Sequence, residues 1–108
     1  MGLMGNQACT LVLKGELDHH GAHVMLREIE KTVDQNLPGA LILDFGQVSF
    51  MDSSAIAVIV NANRLMSEID GSLSIVNMPE QGARVMRAAG IDRILKIDGL
   101  VSGKEVLA

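Results

Sequence analysis

Aromatic residues are almost missing from this 108-residue chain: it has no Trp, no Tyr, and only Phe45 and Phe50. Proteins that hold single-stranded nucleic acid stack its bases on aromatic side chains, so that mode of binding has no support here. Basic residues are also few. Nine Lys and Arg stand against 13 Asp and Glu, for a net charge of −4. Arg64, Arg84, Arg87 and Arg93 are interspersed with acids, so no basic stripe tracks a phosphate backbone and no nucleic-acid partner is expected. A single cysteine, Cys9, rules out an internal disulfide framework and fits a reducing cytoplasm, which is the expected location. The longest apolar run, residues 55–60, falls far short of the roughly 20 residues that cross a membrane, and no membrane association is expected. Residues 1–7 show no charged segment leading into an apolar one, so no signal peptide is expected. There is no internal repeat or low-complexity segment.

What is present is apolar. Hydrophobic residues make up 48% of the chain, enough for one packed domain spanning 1–108. Residues 8–13 read as a short strand, followed by a turn at Lys14-Gly15-Glu16. Asp18 suits an N-cap, and Ala22, Met25 or Leu26, Ile29 and Val33 then recur at helical spacing. Pro38 and Gly39 stop that helix. Residues 40–45, apolar except for Asp44, read as a buried strand, and residues 48–51 lead into a helix over about 55–68. A third strand is expected at 73–76. Pro79 and Glu80 suit the start of a third helix and Gly90 its C′ position. A weaker strand at 94–97 and a short helix from Ser102 to Leu107 close the pattern. Strands alternating with helices predict an α/β fold with helices packed on a sheet. The glycines Gly15, Gly39, Gly46, Gly71, Gly82, Gly90 and Gly99 are read as turn residues. Cys9, Met25, Met66 and Met86 are read as core, while Ile56, Ile59 and Val60 could face either the core or a partner.

The turn Met51-Asp52-Ser53-Ser54-Ala55 carries the most information. Asp or Ser there can cap the following helix. Two adjacent serines also offer a phosphorylation site. A phosphoserine carries about −1.5 to −2 charge near neutral pH. A helix N-terminus tolerates that charge, whereas a partner burying the turn would have to desolvate it beside Asp52. A second stretch, Gly15-Glu16-Leu17-Asp18-His19-His20, places Asp18 after a strand that feeds a helix, as Ser54 does. An acidic rim of this kind suits a kinase or the metal of a phosphatase. His19 and His23 are four apart on one helix face, a spacing that can hold zinc. No metalloprotease signature or cysteine cluster accompanies them, and exposed first-turn histidines are the preferred reading, so no metal site is expected. Nucleophile elbows, phosphate-binding Gly-rich loops and paired-cysteine motifs are missing, so no catalytic residues, no cofactor and no enzyme activity are expected.

Gly15-Glu16-Leu17-Asp18-His19-His20 and Val48-Ser49-Phe50-Met51-Asp52-Ser53-Ser54 together resemble the STAS domain, specifically the sporulation-type bacterial anti-sigma factor antagonists. The stretch Gly82-Ala83-Arg84-Val85-Met86-Arg87-Ala88-Ala89-Gly90-Ile91 is similar to the family's third helix and the turn after it. The resemblance covers about residues 8–98. It implies a single mixed β-sheet flanked by about four helices. It also implies partner switching. The unphosphorylated antagonist binds an anti-sigma factor that is itself a serine kinase, which frees a sigma factor and so regulates transcription. Phosphorylation ends the complex, and a metal-dependent serine phosphatase resets it. The family's phosphorylated serine corresponds to Ser54, and the implied partner-binding residues are Asp18, Asp52, Ser53, Ser54, Ala55 and Ile56. The family usually has Gly where this chain has Ala55. A runner-up role is a STAS subunit docked on a transporter or stress-signalling assembly, with no phosphoswitch.

Overall fold

The computed structural model describes residues 7–91 of the chain. Six elements alternate along it: β1 (Ala8–Leu17), α1 (His19–Asn36), β2 (Ala40–Met51), α2 (Ser54–Glu68), β3 (Ser72–Val76) and α3 (Glu80–Ala88). The three strands form one sheet in the order β1-β2-β3, and both pairings are parallel. Parallel neighbours follow from the connections, because α1 and α2 each carry the chain back to the opposite end of the sheet. No antiparallel pair occurs among the described residues, although a mixed sheet was expected. Three helices are described where about four were expected. The strand expected at 94–97 and the helix expected from Ser102 lie outside the described residues.

Register sorts the side chains by face. Cys9 pairs with Leu41 and Leu41 with Leu73; Leu11 pairs with Leu43 and Leu43 with Ile75. These alternate positions turn one face of the sheet toward α1 and α2. Against it pack Met25, Ile29 and Val33 of α1 and Val58, Ile59, Ala62 and Met66 of α2, in one buried cluster with Phe45 and Met86. The helical spacing read from α1 is therefore the core face, with Ala22 partly buried beside it. Met25, Met66 and Met86 are core, as expected, and Cys9 is partly buried against it. The α2 ambiguity divides cleanly: Ile59 is fully buried, Ile56 is half-buried and Val60 is 46% exposed.

The turn expected at Lys14-Gly15-Glu16 is not formed. β1 runs on to Leu17, with register shifts between Val12 and Lys14 and between Gly15 and Glu16. Gly15 adopts φ +88 there, a conformation that favours glycine, and the irregularity is absorbed as a bulge while pairing continues. β2 likewise passes through Gly46 to Met51 rather than ending at Phe45. Gly82 is not a turn residue either. It lies inside α3 because a Cβ at that position would run into the sulfur atoms of Met51 and Met78. Close packing, rather than a turn, requires glycine there.

Candidate functional site

Parallel strands deliver their C-terminal ends to one edge of the sheet, where α/β folds place their sites. β1 and β2 end in register, Leu17 opposite Met51. The next residues, Asp18 and Asp52, therefore lie side by side, and the Asp52 N–H donates to the Leu17 carbonyl at 3.4 Å. The two carboxylates play matching parts. Asp18, in extended conformation, accepts the Gly21 N–H at 2.8 Å and caps α1. Asp52 accepts the Ser54 N–H at 2.8 Å at the head of α2.

α2 begins at Ser54. Ser53 occupies the N-cap position but makes no capping bond with its side chain. The carboxylate of Asp52 does that work instead, in an Asx turn, so neither serine hydroxyl is spent on the cap. Ser53 is exposed, and Ser54 and Asp52 are half-buried. No acidic residue lies in the first turn of α2 itself. The N–H groups of Ser54, Ala55 and Ile56 already have acceptors in Asp52 and Ser53, so a charge added at Ser54 would meet the positive end of the helix dipole on one side and Asp52 on the other.

Ala55 sits differently from what was expected of a partner-facing residue. It is fully buried, and its N–H donates to the Asp52 carbonyl at 3.1 Å. Its methyl joins the core, so Ala55 seats the first turn of α2 and offers no side chain to a partner. Ile56 is half-buried and packs against the same core. Of the six residues singled out in the sequence, Asp18, Asp52, Ser53 and Ser54 share the rim, and Ile56 follows on the next part of the turn.

Sequence reasoning missed one neighbourhood. α1 and α2 pack side by side, and between their first turns runs a cleft of about 150 Å³ lined by Ser54, Ala57 and Val58 on one side and His19, His23 and Leu26 on the other. The i, i+4 spacing correctly put His19 and His23 on one face, with ring centroids 5.3 Å apart and planes at 86°. That this face looks across at Ser54 depends on helix packing, which no local pattern encodes. Among the described residues no three His, Cys, Asp or Glu side chains cluster as a metal site would need. No described helix is long and apolar enough to cross a membrane.

One further carboxylate is electrostatically distinct. Asp44 accepts a side-chain hydrogen bond from Asn77 at 3.0 Å and the Gly46 N–H at 2.8 Å. These bonds, the first foremost, hold its carboxyl below the usual range. They tie the end of β3 to β2, away from the rim.

The STAS domain family matches residues 5–102. The chain is 25% identical over 85 residues to the anti-sigma F factor antagonist of Paenibacillus polymyxa, covering 79% of this chain and 73% of that one. Its fold is similar to that of the anti-sigma factor antagonist SpoIIAA in its unphosphorylated form, with a TM-score of 0.71 at 24% identity over 85% of this chain and 80% of the other. It is also similar to SpoIIAA, a Bacillus cell fate determinant, in the phosphorylated form, with a TM-score of 0.62 at 22% identity over 92% and 89% of the two chains. With nearly its whole length matched, the chain belongs to the STAS domain family.

Proposed function

We propose that this protein is an anti-sigma factor antagonist switched by phosphorylation of Ser54. In its unphosphorylated state it binds an anti-sigma factor that is also a serine kinase, and so releases a sigma factor. Phosphorylation of Ser54 ends the complex, and a serine phosphatase restores the binding form. The observation that carries this reading is the position of Ser54: first residue of α2, half-buried at the rim, with its amide held by Asp52 and its hydroxyl not needed for the cap. A surface of Asp18, Asp52, Ser53, Ser54 and Ile56 carries two carboxylates and no basic side chain when unmodified. Phosphate on Ser54 adds about −1.5 to −2 charge to it. Such a charge stays solvated in the free protein, but a partner covering the rim must strip its water while leaving it beside Asp52, at a cost of several kcal/mol for like charges. The fold itself has no reason to change, because Ser54 lies at a helix start that accepts negative charge.

The test is to incubate the chain with its cognate kinase and ATP and map the product by mass spectrometry. Phosphate on Ser54 alone is expected. Phosphate elsewhere, or none, overturns the assignment. The anti-sigma factor antagonist named in Paenibacillus polymyxa and the unphosphorylated and phosphorylated SpoIIAA structures support this reading by similarity.

A further inference from the structure

The switch just described uses Asp18 ahead of α1 but no group on the helix itself, yet two histidines of α1 share a cleft with Ser54. His19 and His23 stand one helical turn apart, both exposed, with ring centroids 5.3 Å apart. The charged groups around them are few. Just before α1, Asp18 is engaged with the Gly21 N–H, and between the two histidines His20 is exposed but does not line the cleft. Arg27 lies one turn beyond His23, facing a different depression with Glu28 and Lys31. β1 brings Lys14 and Glu16, both exposed. α2 is preceded by Asp52, and its Arg64 is on the far half of the helix, paired with Glu68 at 3.4 Å. The amide of Ser54 is already taken by Asp52. Within the cleft, His19 and His23 are therefore the titratable donors that a group attached to Ser54 would meet.

We propose that His19 and His23 form a clamp for the phosphate of phosphorylated Ser54, holding it across the cleft against α1. This rests on the reading of Ser54 as the phosphate acceptor. A phosphoserine loses its second proton near pH 6, and histidine titrates in the same region. An imidazolium and a phosphate dianion that face each other each favour the charged form of the other. The clamp draws the phosphate away from Asp52 and Asp18, which repel it. The phosphorylated rim is then a defined, internally paired state whose stability depends on pH.

The experiment installs phosphoserine at position 54 during translation with an expanded genetic code, so that no kinase is needed. The phosphate is titrated by phosphorus-31 NMR in the parent chain, in the His19→Gln/His23→Gln double variant and in His20→Gln. All three histidines are exposed, so the variants keep the fold. The parent midpoint is expected about half a unit or more below that of the double variant, about threefold in the ionisation constant. His20→Gln should titrate like the parent. Superimposable curves for parent and double variant overturn the clamp, as does an equal shift in His20→Gln, which would reduce the effect to net charge. Either result leaves the phosphoswitch standing. Failure of the kinase to modify Ser54 overturns the switch without touching the NMR result.

Discussion

Asp52 carries both a structural and an electrostatic duty, and two substitutions separate them. Its carboxylate accepts the Ser54 N–H at 2.8 Å, while Ser53 at the N-cap contributes no side-chain bond. Asp52→Ala removes the acceptor and the charge together. Losing a capping side chain to Ala costs about 1 kcal/mol, within a range of roughly 0.5–2. The lost attraction between the carboxylate and the helix N-terminus adds about 0.3–1 kcal/mol at a partly exposed site. The sum, about 1–2 kcal/mol, corresponds to a fall in Tm of at least about 4 °C for a domain of this size. Asp52→Asn keeps an acceptor at the same position and loses only the charge, so its fall should be less than half as large. Thermal unfolding followed by circular dichroism gives both values. Equal Tm for the parent and Asp52→Ala would refute the claim that this bond caps α2. Equal losses in the Ala and Asn variants would show that charge alone matters there.

Three further outcomes follow from particular contacts. Ala55→Gly should lower stability by about 1–2 kcal/mol, from helix propensity and a lost buried methyl, yet leave the rate of Ser54 phosphorylation unchanged, because the methyl faces the core; denaturant titration and a kinase assay check the two halves. Gly21→Ala should destabilise the protein although Ala favours helices by roughly 1 kcal/mol, because its Cβ meets the carbonyl oxygen of Glu16, a backbone atom that cannot swing aside, and overpacking costs about 1–3 kcal/mol; a Tm at or above the parent's would contradict this. Asp44 ionises at lower pH in the folded chain than in the unfolded one, so its stabilisation is present above the ordinary carboxylate range and is lost as pH falls through the folded value. Asn77→Ala should raise the Asp44 titration midpoint toward the ordinary value, read by carboxyl carbon-13 NMR.

Much of this architecture was legible because it rests on local signals. Asp18 reads as a cap and is one, with its carboxylate on the Gly21 N–H. The period of Met25, Ile29 and Val33 reads as a buried stripe and is one. Pro79 and Gly90 bracket α3, and Gly90 takes φ +77 just past its end. Glycine misled where its role was not a turn. Gly15 and Gly46 read as ends of strands, but a strand flanked by a paired neighbour tolerates a bulge, and pairing carried both β1 and β2 onward to the rim. That extension is what brings Asp18 beside Asp52, since strands stopping at residues 13 and 45 would have ended well short of it. The family resemblance pointed to Ser54, and the structure places it as the first residue of α2, half-buried, with its amide held by Asp52. Two features escaped the sequence for the same reason. The burial of Ala55 and the cleft between Ser54 and His19 with His23 both depend on how α2 sits against the sheet and against α1, which is a matter of long-range packing rather than of neighbours in the chain.

The central claim is that charge at Ser54, and not a change of fold, decides whether the rim can be covered. The most direct measurement is the affinity of the anti-sigma factor for the unphosphorylated chain, the Ser54-phosphorylated chain and the Ser54→Ala variant, by isothermal titration calorimetry at one ionic strength, with a circular dichroism spectrum of each. The account predicts that Ser54→Ala binds as the parent does and that phosphorylation weakens binding at least about 100-fold, about 2.7 kcal/mol, with superimposable spectra. Equal affinity of the phosphorylated and unphosphorylated chains, or a loss of binding accompanied by a changed spectrum, would contradict it.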